Sequence, residues 1–274
     1  MTAIDTEEVL ALLRTVGASL CDTFWQLEPV VELDEMAAAF QRIDGAASAA
    51  LRCGLAELYP RIGWMEGEFE GADSDDEEAI ALLARGEYWI CDAIDGAPQF
   101  LRALPNWAMS LTLVREGVPV FVAVFDAAHD EMFHAVWGAG AWCNGKPVRV
   151  NERESHYNGV VATSQPPFAV KQPRAVSRAG HALSAMLPDV AAVHNLGCTS
   201  LQLAYVACGR LDAFWEFGED GFNCLGPALL VREAGGMVTQ VDGAPYRLLS
   251  ADIAAAPPRV HASMLLRLRE VLAA

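Results

Sequence analysis

The chain has 274 residues, 53% of them hydrophobic and 20% charged, with a formal net charge of −17 at pH 7. That length can bury a large core, and the apolar content excludes disorder of the whole chain. The acidity excludes a duplex nucleic acid partner, since phosphate contacts need clustered Lys and Arg. No run approaches the ~18 consecutive apolar residues that read as a membrane span.

Asp5 with Glu8 predicts a capping box, and Val9, Leu10, Leu13, Val16 and Leu20 follow at helical spacing. A second helix is expected over 34–58, interrupted near Gly45 and ended by Pro60. The apolar piece 62–65 leads into an acidic run, 66–78, that reads mostly as solvated loop. Residues 88–92 then predict a strand ending in a carboxylate. The apolar runs 108–114 and 118–125 are separated by a hairpin-like 115–117, and 131–137 follows. Asn144-Gly145 is a type I′ turn signal.

After about residue 151 the texture changes. Strands are expected at 160–163, 190–194, 213–217 and 237–241. They alternate with helices at 174–186, 199–209, 222–234 and 261–272. The polar stretch 151–158 marks a boundary between an N-terminal α+β half, 1–150, built on antiparallel sheet, and a C-terminal α/β half, 151–274.

Seven cysteines form no CxxC pair, and the number is odd, which predicts free, mostly buried thiols in a reducing cytoplasm. The acidic N-terminus lacks the basic and apolar regions of a signal peptide, so a cytoplasmic protein is expected. Residues 140–147 nearly spell a P-loop, but they lack its final Ser or Thr and read as a hairpin. No GxSxG, HExxH or GxGxxG is present, and the histidines show no metal-ligand spacing.

One segment carries chemistry. A strand ends at Asp92, and Asp95-Gly96 follow. Two carboxylates at a strand mouth beside a tight Gly turn can face one point, a donor set that suits hard cations such as Mg2+. Asp-x-x-Asp-Gly is also common in ordinary loop capping.

The neighbouring residues add a resemblance. Asp92-Ala93-Ile94-Asp95-Gly96-Ala97-Pro98-Gln99-Phe100 resembles the DP(I/L)DGTxNF signature of the inositol monophosphatase family. Residues 222–236, with Asn223, Ala228, Glu233, Ala234, Gly235 and Gly236, resemble its second signature, WDxAAxxxIxxEAGG. Residues 197–212 are similar to the family's GSxALxLxxVAxGRxD helix. The resemblance covers about residues 50–250, with the motifs in family order. It implies a layered αβαβα sandwich of the α+β class and a homodimer. It also implies Mg2+-dependent, lithium-sensitive hydrolysis of phosphomonoesters. The metal ligands it implies are Glu68 or Glu66, then Asp92, the carbonyl of Ile94, Asp95 and the residue at 223. Glu216 matches a family Glu that contacts substrate hydroxyls.

Three departures stand out. Gly67-Glu68 falls where the family has a Glu pair, and Glu68 is favoured as the ligand. Ala97 replaces the family Thr whose hydroxyl positions and activates the attacking water; a methyl group can neither accept nor donate a hydrogen bond. Asn223 replaces a metal-binding Asp, offering one neutral oxygen where a carboxylate belongs. Asp220, three residues earlier, is a candidate to compensate. The expected protein is an inositol monophosphatase-like phosphoric monoester hydrolase of reduced activity. In it Glu68, Asp95 and Ala97 form the catalytic set, Gly96, Ala97 and Glu216 bind substrate, and no nucleic acid or membrane takes part. The alternative is a catalytically impaired relative that binds a phosphorylated ligand or a protein partner.

Overall fold

The layering follows from which way the apolar side chains alternate along two sheets. The structure, a computed structural model, describes residues 3–65 and 85–272; the acidic run, with Glu66 and Glu68, lies outside the described residues. Helices α1 (Thr6–Gln26) and α2 (Leu33–Leu58) open the chain. The Asp5 side chain accepts from the N–H groups of Glu7 and Glu8. The Asp5 N–H donates to the Tyr59 hydroxyl at 2.8 Å, so a tie to the end of α2 stands where Glu8 was expected to close the box. Contrary to expectation, α2 is unbroken at Gly45. A single helical Gly costs about 1 kcal/mol relative to Ala. The stripe Ala39, Ala47, Leu51 and Leu55, all buried, outweighs that cost.

Seven strands form the first sheet in chain order: β1 (Gly63–Trp64), β2 (Glu87–Asp95), β3 (Ala108–Arg115), β4 (Val118–Asp126), β5 (Glu131–Val136), β6 (Gly140–Cys143) and β7 (Lys146–Val148). Neighbours are antiparallel except the parallel pair β1–β2. Period-two alternation sorts the side chains. Trp89, Cys91, Met109, Leu111, Phe121 and Ala123 pack with α1 and α2, whereas Tyr88, Ile90, Ala108, Val122 and Val124 face the other way. The short helix α3 (Ala97–Leu101) follows β2.

The second sheet has the order β11 (Met237–Thr239), β12 (Asp252–Ala256), β10 (Ala213–Phe217), β8 (Val160–Thr163), β9 (Ala192–His194). Its Phe214, Ile253 and Ala255 face the first sheet. Ala213, Trp215, Phe217, Ala254 and Ala256 pack on the outer helices α4 (Pro173–Met186) and α7 (Pro258–Leu272). Between the sheets lie α5 (Thr199–Ala207) and α6 (Gly221–Glu233), apolar nearly all round, as a helix covered on both sides must be. The result is the αβαβα sandwich that the resemblance implies.

Several boundaries differ from expectation. Strand β12 was not anticipated, because Asp-Ile-Ala-Ala-Ala reads as helix former rather than strand. Helix α7 begins at Pro258 rather than 261, since a first-turn Pro is pre-set for helix and needs no N–H there. The strands expected at 190–194 and 237–241 shrink to β9 and β11. Of the seven thiols, all free, only Cys91, Cys198 and Cys224 are buried.

Two acidic residues of the recognised motifs are structural. Glu233 accepts from the N–H groups of Gly138 and Gly140, each at 2.9 Å, and so ties α6 to the β5–β6 turn. Asp212 accepts from the Val160 N–H and from Asn151.

Two glycines should respond oppositely to alanine. A Cβ at Gly45 meets nothing within 4 Å, whereas one at Gly221 would sit 1.7 Å from the Leu248 carbonyl oxygen. Gly45→Ala is expected to stabilise by about 0.5–1 kcal/mol. Gly221→Ala is expected to destabilise by about 1–3 kcal/mol or more. Urea unfolding midpoints at constant slope measure both.

Candidate functional site

The position of the two aspartates is decided by one extra residue in β2. Asp92 pairs with Ser110 and Asp95 with Ala108, so three steps on β2 oppose two on β3. In an unbroken strand, residues three apart point to opposite faces. The bulge restores parity, because residues opposite Ser110 and Ala108 share a face. Ala93 and Ile94 pack with α1 and α2, while Ala108 faces the gap between the sheets. Both carboxylates therefore enter that gap at the end of β2. Asp92 Oδ1 accepts from the Ile94 N–H at 3.0 Å, which holds the bulge closed.

Gly96 then turns the chain at φ 93°, a left-handed conformation that favours Gly. A Cβ there would lie 2.9 Å from the Asn106 carbonyl oxygen. Ala97 is the first residue of α3, where a backbone N–H has no intrahelical acceptor.

The middle helices present their N-terminal ends to the aspartates. Asp95 Oδ2 accepts from the Ser200 N–H in the first turn of α5, at 2.7 Å. A carboxylate is favoured there, where unsatisfied N–H groups carry partial positive charge. Burial nevertheless pushes the Asp95 carboxyl above its ordinary range, against the lowering effect of hydrogen bonds from Ser200, Cys198 and Thr199. Thr199 links the second sheet: its hydroxyl is 2.8 Å from Ser164 Oγ and donates to Glu216 Oε2 at 3.4 Å.

Glu216, on β10, is only 1% exposed. Burial, then the charges of Asp220 and Asp95, push its carboxyl well above the usual range. Asp220 caps α6, and its Oδ1 accepts from Asn223 Nδ2 at 3.0 Å. Asn223 Oδ1 is buried without a hydrogen-bond partner. The structure thus brings Asp92, Asp95, Glu216 and the Asp220–Asn223 pair to the space between the sheets. Gly96 and Ala97 are at its edge.

Two residues went unnoticed in the sequence. Burial raises the pKa of Asp44 on α2, against the lowering effect of the nearby Ser48 and Ile94 backbone. Asp44 thus lies beside the bulge on the helix side. A lone acid on a helix gives no signal of this. Cys224 lies with Glu216 and Asp220, and within an apolar run it reads only as core.

Residues 6–273 match the profile described as the Inositol monophosphatase family. The chain belongs to that family. Among its relatives, the Nus factor SuhB of Haemophilus influenzae is 32% identical over 235 residues, 85% of this chain and 83% of that protein. The inositol-1-monophosphatase of Rhizobium meliloti is 31% identical over 233 residues, 83% of this chain and 82% of that protein. Among solved structures, the IMPase of Thermotoga maritima superposes with a TM-score of 0.77 at 26% identity, covering 96% of each chain. Inositol monophosphatase family membership agrees with the αβαβα layers and supports a phosphatase-type hydrolase.

The buried carboxylates give stability a definite pH dependence. Because the folded-state pKa of Glu216 is raised, its contribution is fully present below the unfolded value of about 4.3 and is lost as pH rises through the folded value. Glu216→Gln, in chelator, should therefore melt higher than the parent at pH 8. The gap should close toward pH 4.5 when both are followed by calorimetry.

Proposed function

We propose that this protein is a Mg2+-dependent phosphomonoesterase acting on inositol monophosphate or a related small polyol or sugar phosphate. The observation that carries this reading is the β2 bulge, which turns Asp92 and Asp95 to one side beneath the first turn of α5. The donor set fits a hard cation. It consists of oxygen atoms, and it includes a buried Asn223 Oδ1 with no hydrogen-bond partner.

Asp92, Asp95, the Ile94 carbonyl and Asn223 would hold the cation, with Glu68 from the segment outside the described residues. A divalent cation held there would supply Lewis acidity for water activation and for charge on the phosphoryl group. The chain's own groups orient the substrate. The N–H groups of Gly96 and Ala97 face the phosphoryl oxygens, and Glu216 meets the hydroxyls of the alcohol portion. Asp95, held by Ser200, keeps one oxygen for the cation and one for α5. Glu68 and Asp95 form the catalytic set with Ala97, whose methyl leaves water positioning to the other two. General-base assistance is worth ~10²–10⁴-fold, so turnover is slow. The same reading expects a homodimer in the cytoplasm.

A second reading is favoured by Ala97 and Asn223 together, and by relatives whose name is Nus factor SuhB. In it the scaffold binds a phosphorylated ligand or a protein partner without turnover.

Phosphate release from inositol 1-phosphate and a panel of sugar phosphates, titrated with Mg2+, separates the two. Under the first reading Asp95→Asn lowers kcat by at least ~10²-fold, the scale of losing one electrostatic stabiliser. Under the second the parent shows no turnover at any Mg2+ level, and Ala97→Thr with Asn223→Asp creates it. Full activity in Asp95→Asn would remove the ligand assignment.

A further inference from the structure

Glu216, Asp220 and Cys224 form a constellation whose chemistry differs from that of the aspartate pair. They are spaced four apart: Glu216 lies near the end of β10, Asp220 caps α6, and Cys224 lies one turn into that helix. Positions four apart on a helix share a face. One ligand atom from each residue, Cys224 Sγ and a carboxylate oxygen from the other two, lies within 4.8 Å of the others, and all three residues are buried. A separate observation points to a missing ligand: Glu216 Oε1 has no hydrogen-bond partner, although the residue is almost fully buried. A buried acceptor with nothing to accept from is costly, and a cation removes that cost.

The donor types select the cation. Mg2+ takes oxygen ligands, whereas a thiolate with two carboxylates suits Zn2+ and its neighbours. Tetrahedral Zn2+ with sulfur at ~2.3 Å and oxygen at ~2.0–2.2 Å places ligand atoms roughly 3.3–3.8 Å apart. A side-chain contraction of about 1 Å from the observed arrangement reaches that. The Tyr246 hydroxyl donates to the Asp220 backbone carbonyl at 3.5 Å, an outer contact that holds the chain at one of the three residues.

We propose that Glu216, Asp220 and Cys224 bind one divalent cation of the Zn2+ class, at a site beside the oxygen-only ligand set of Asp92 and Asp95. On binding, the Cys224 thiol gives its proton to solvent and its sulfur lone pair to the metal, with no change of oxidation state. The proposal shares Glu216 with the phosphatase reading but does not rest on it.

Cobalt(II) is the probe, added to the full-length, reduced protein. A thiolate-to-cobalt charge-transfer band is expected at one equivalent, and excess Mg2+ should not remove it. Cys224→Ser should abolish the band and weaken cobalt binding by at least ~10-fold. Asp220→Asn, which keeps the thiol, should also lose the band, and it decides the matter if Cys224→Ser does not fold by circular dichroism. Asp95→Asn should keep the band, whether or not the protein turns over phosphate esters. No band in the folded parent, or a band that survives in Cys224→Ser, overturns the site. Loss of the band in Asp95→Asn overturns its separation from the aspartate pair.

Discussion

Everything at the centre of this protein depends on one residue too many in β2. Without the bulge at Ala93 and Ile94, Asp92 and Asp95 would stand on opposite faces of the first sheet. One would then be driven into the apolar layer against α1 and α2. The extra residue sends the two apolar side chains to that layer and both acids to the gap between the sheets. Asp92 holds this irregular backbone by accepting from the Ile94 N–H. Gly96 completes the turn, at a φ and in a space that disfavour any side chain.

The middle layer imposes the next constraint. Helices α5 and α6 are covered by sheets on both sides and are therefore apolar. Their N-terminal ends offer polar groups, and acids gather there: Asp95 against Ser200, Asp220 at the N-cap position of α6, and Glu216 beside Thr199. Three carboxyl groups so close repel one another, and burial disfavours the charge of Asp95 and Glu216. That arrangement is poorly suited to stability alone. It suits a place where cations are held. The chain's membership of the inositol monophosphatase family agrees with the layered fold that brings these acids together.

The recognised motifs divide by role once they are seen in three dimensions. Glu233 and Asp212 satisfy backbone N–H groups and join elements distant in sequence. Their retention reports on the scaffold and says nothing of turnover. Ala97 and Asn223, two of the three departures, lie near the two aspartates and Asp220. Asn223 donates to Asp220, something an ionised carboxylate at 223 would not do.

Much of the fold was legible from residue order. Hairpin spacing at β3–β4, the Asn144-Gly145 turn and the helical stripe of α1 are local signals, and local chemistry set them. The first motif was legible as a pair of acids before a glycine. The rest required tertiary structure, for physical reasons. Alanine-rich β12 is a strand only because two neighbours supply hydrogen-bond partners on either side. Gly45 stays helical because of burial along α2, which one residue type cannot announce. The shared face of Asp92 and Asp95 depends on register against β3, and the roles of Asp44 and Cys224 depend on packing between separate elements. Sequence alone determined the helix and strand periods, the turn chemistry and the order of the motifs, because those depend on residues a few positions apart. Tertiary structure alone decided which acids converge, because convergence depends on register and on layers joined across more than a hundred residues.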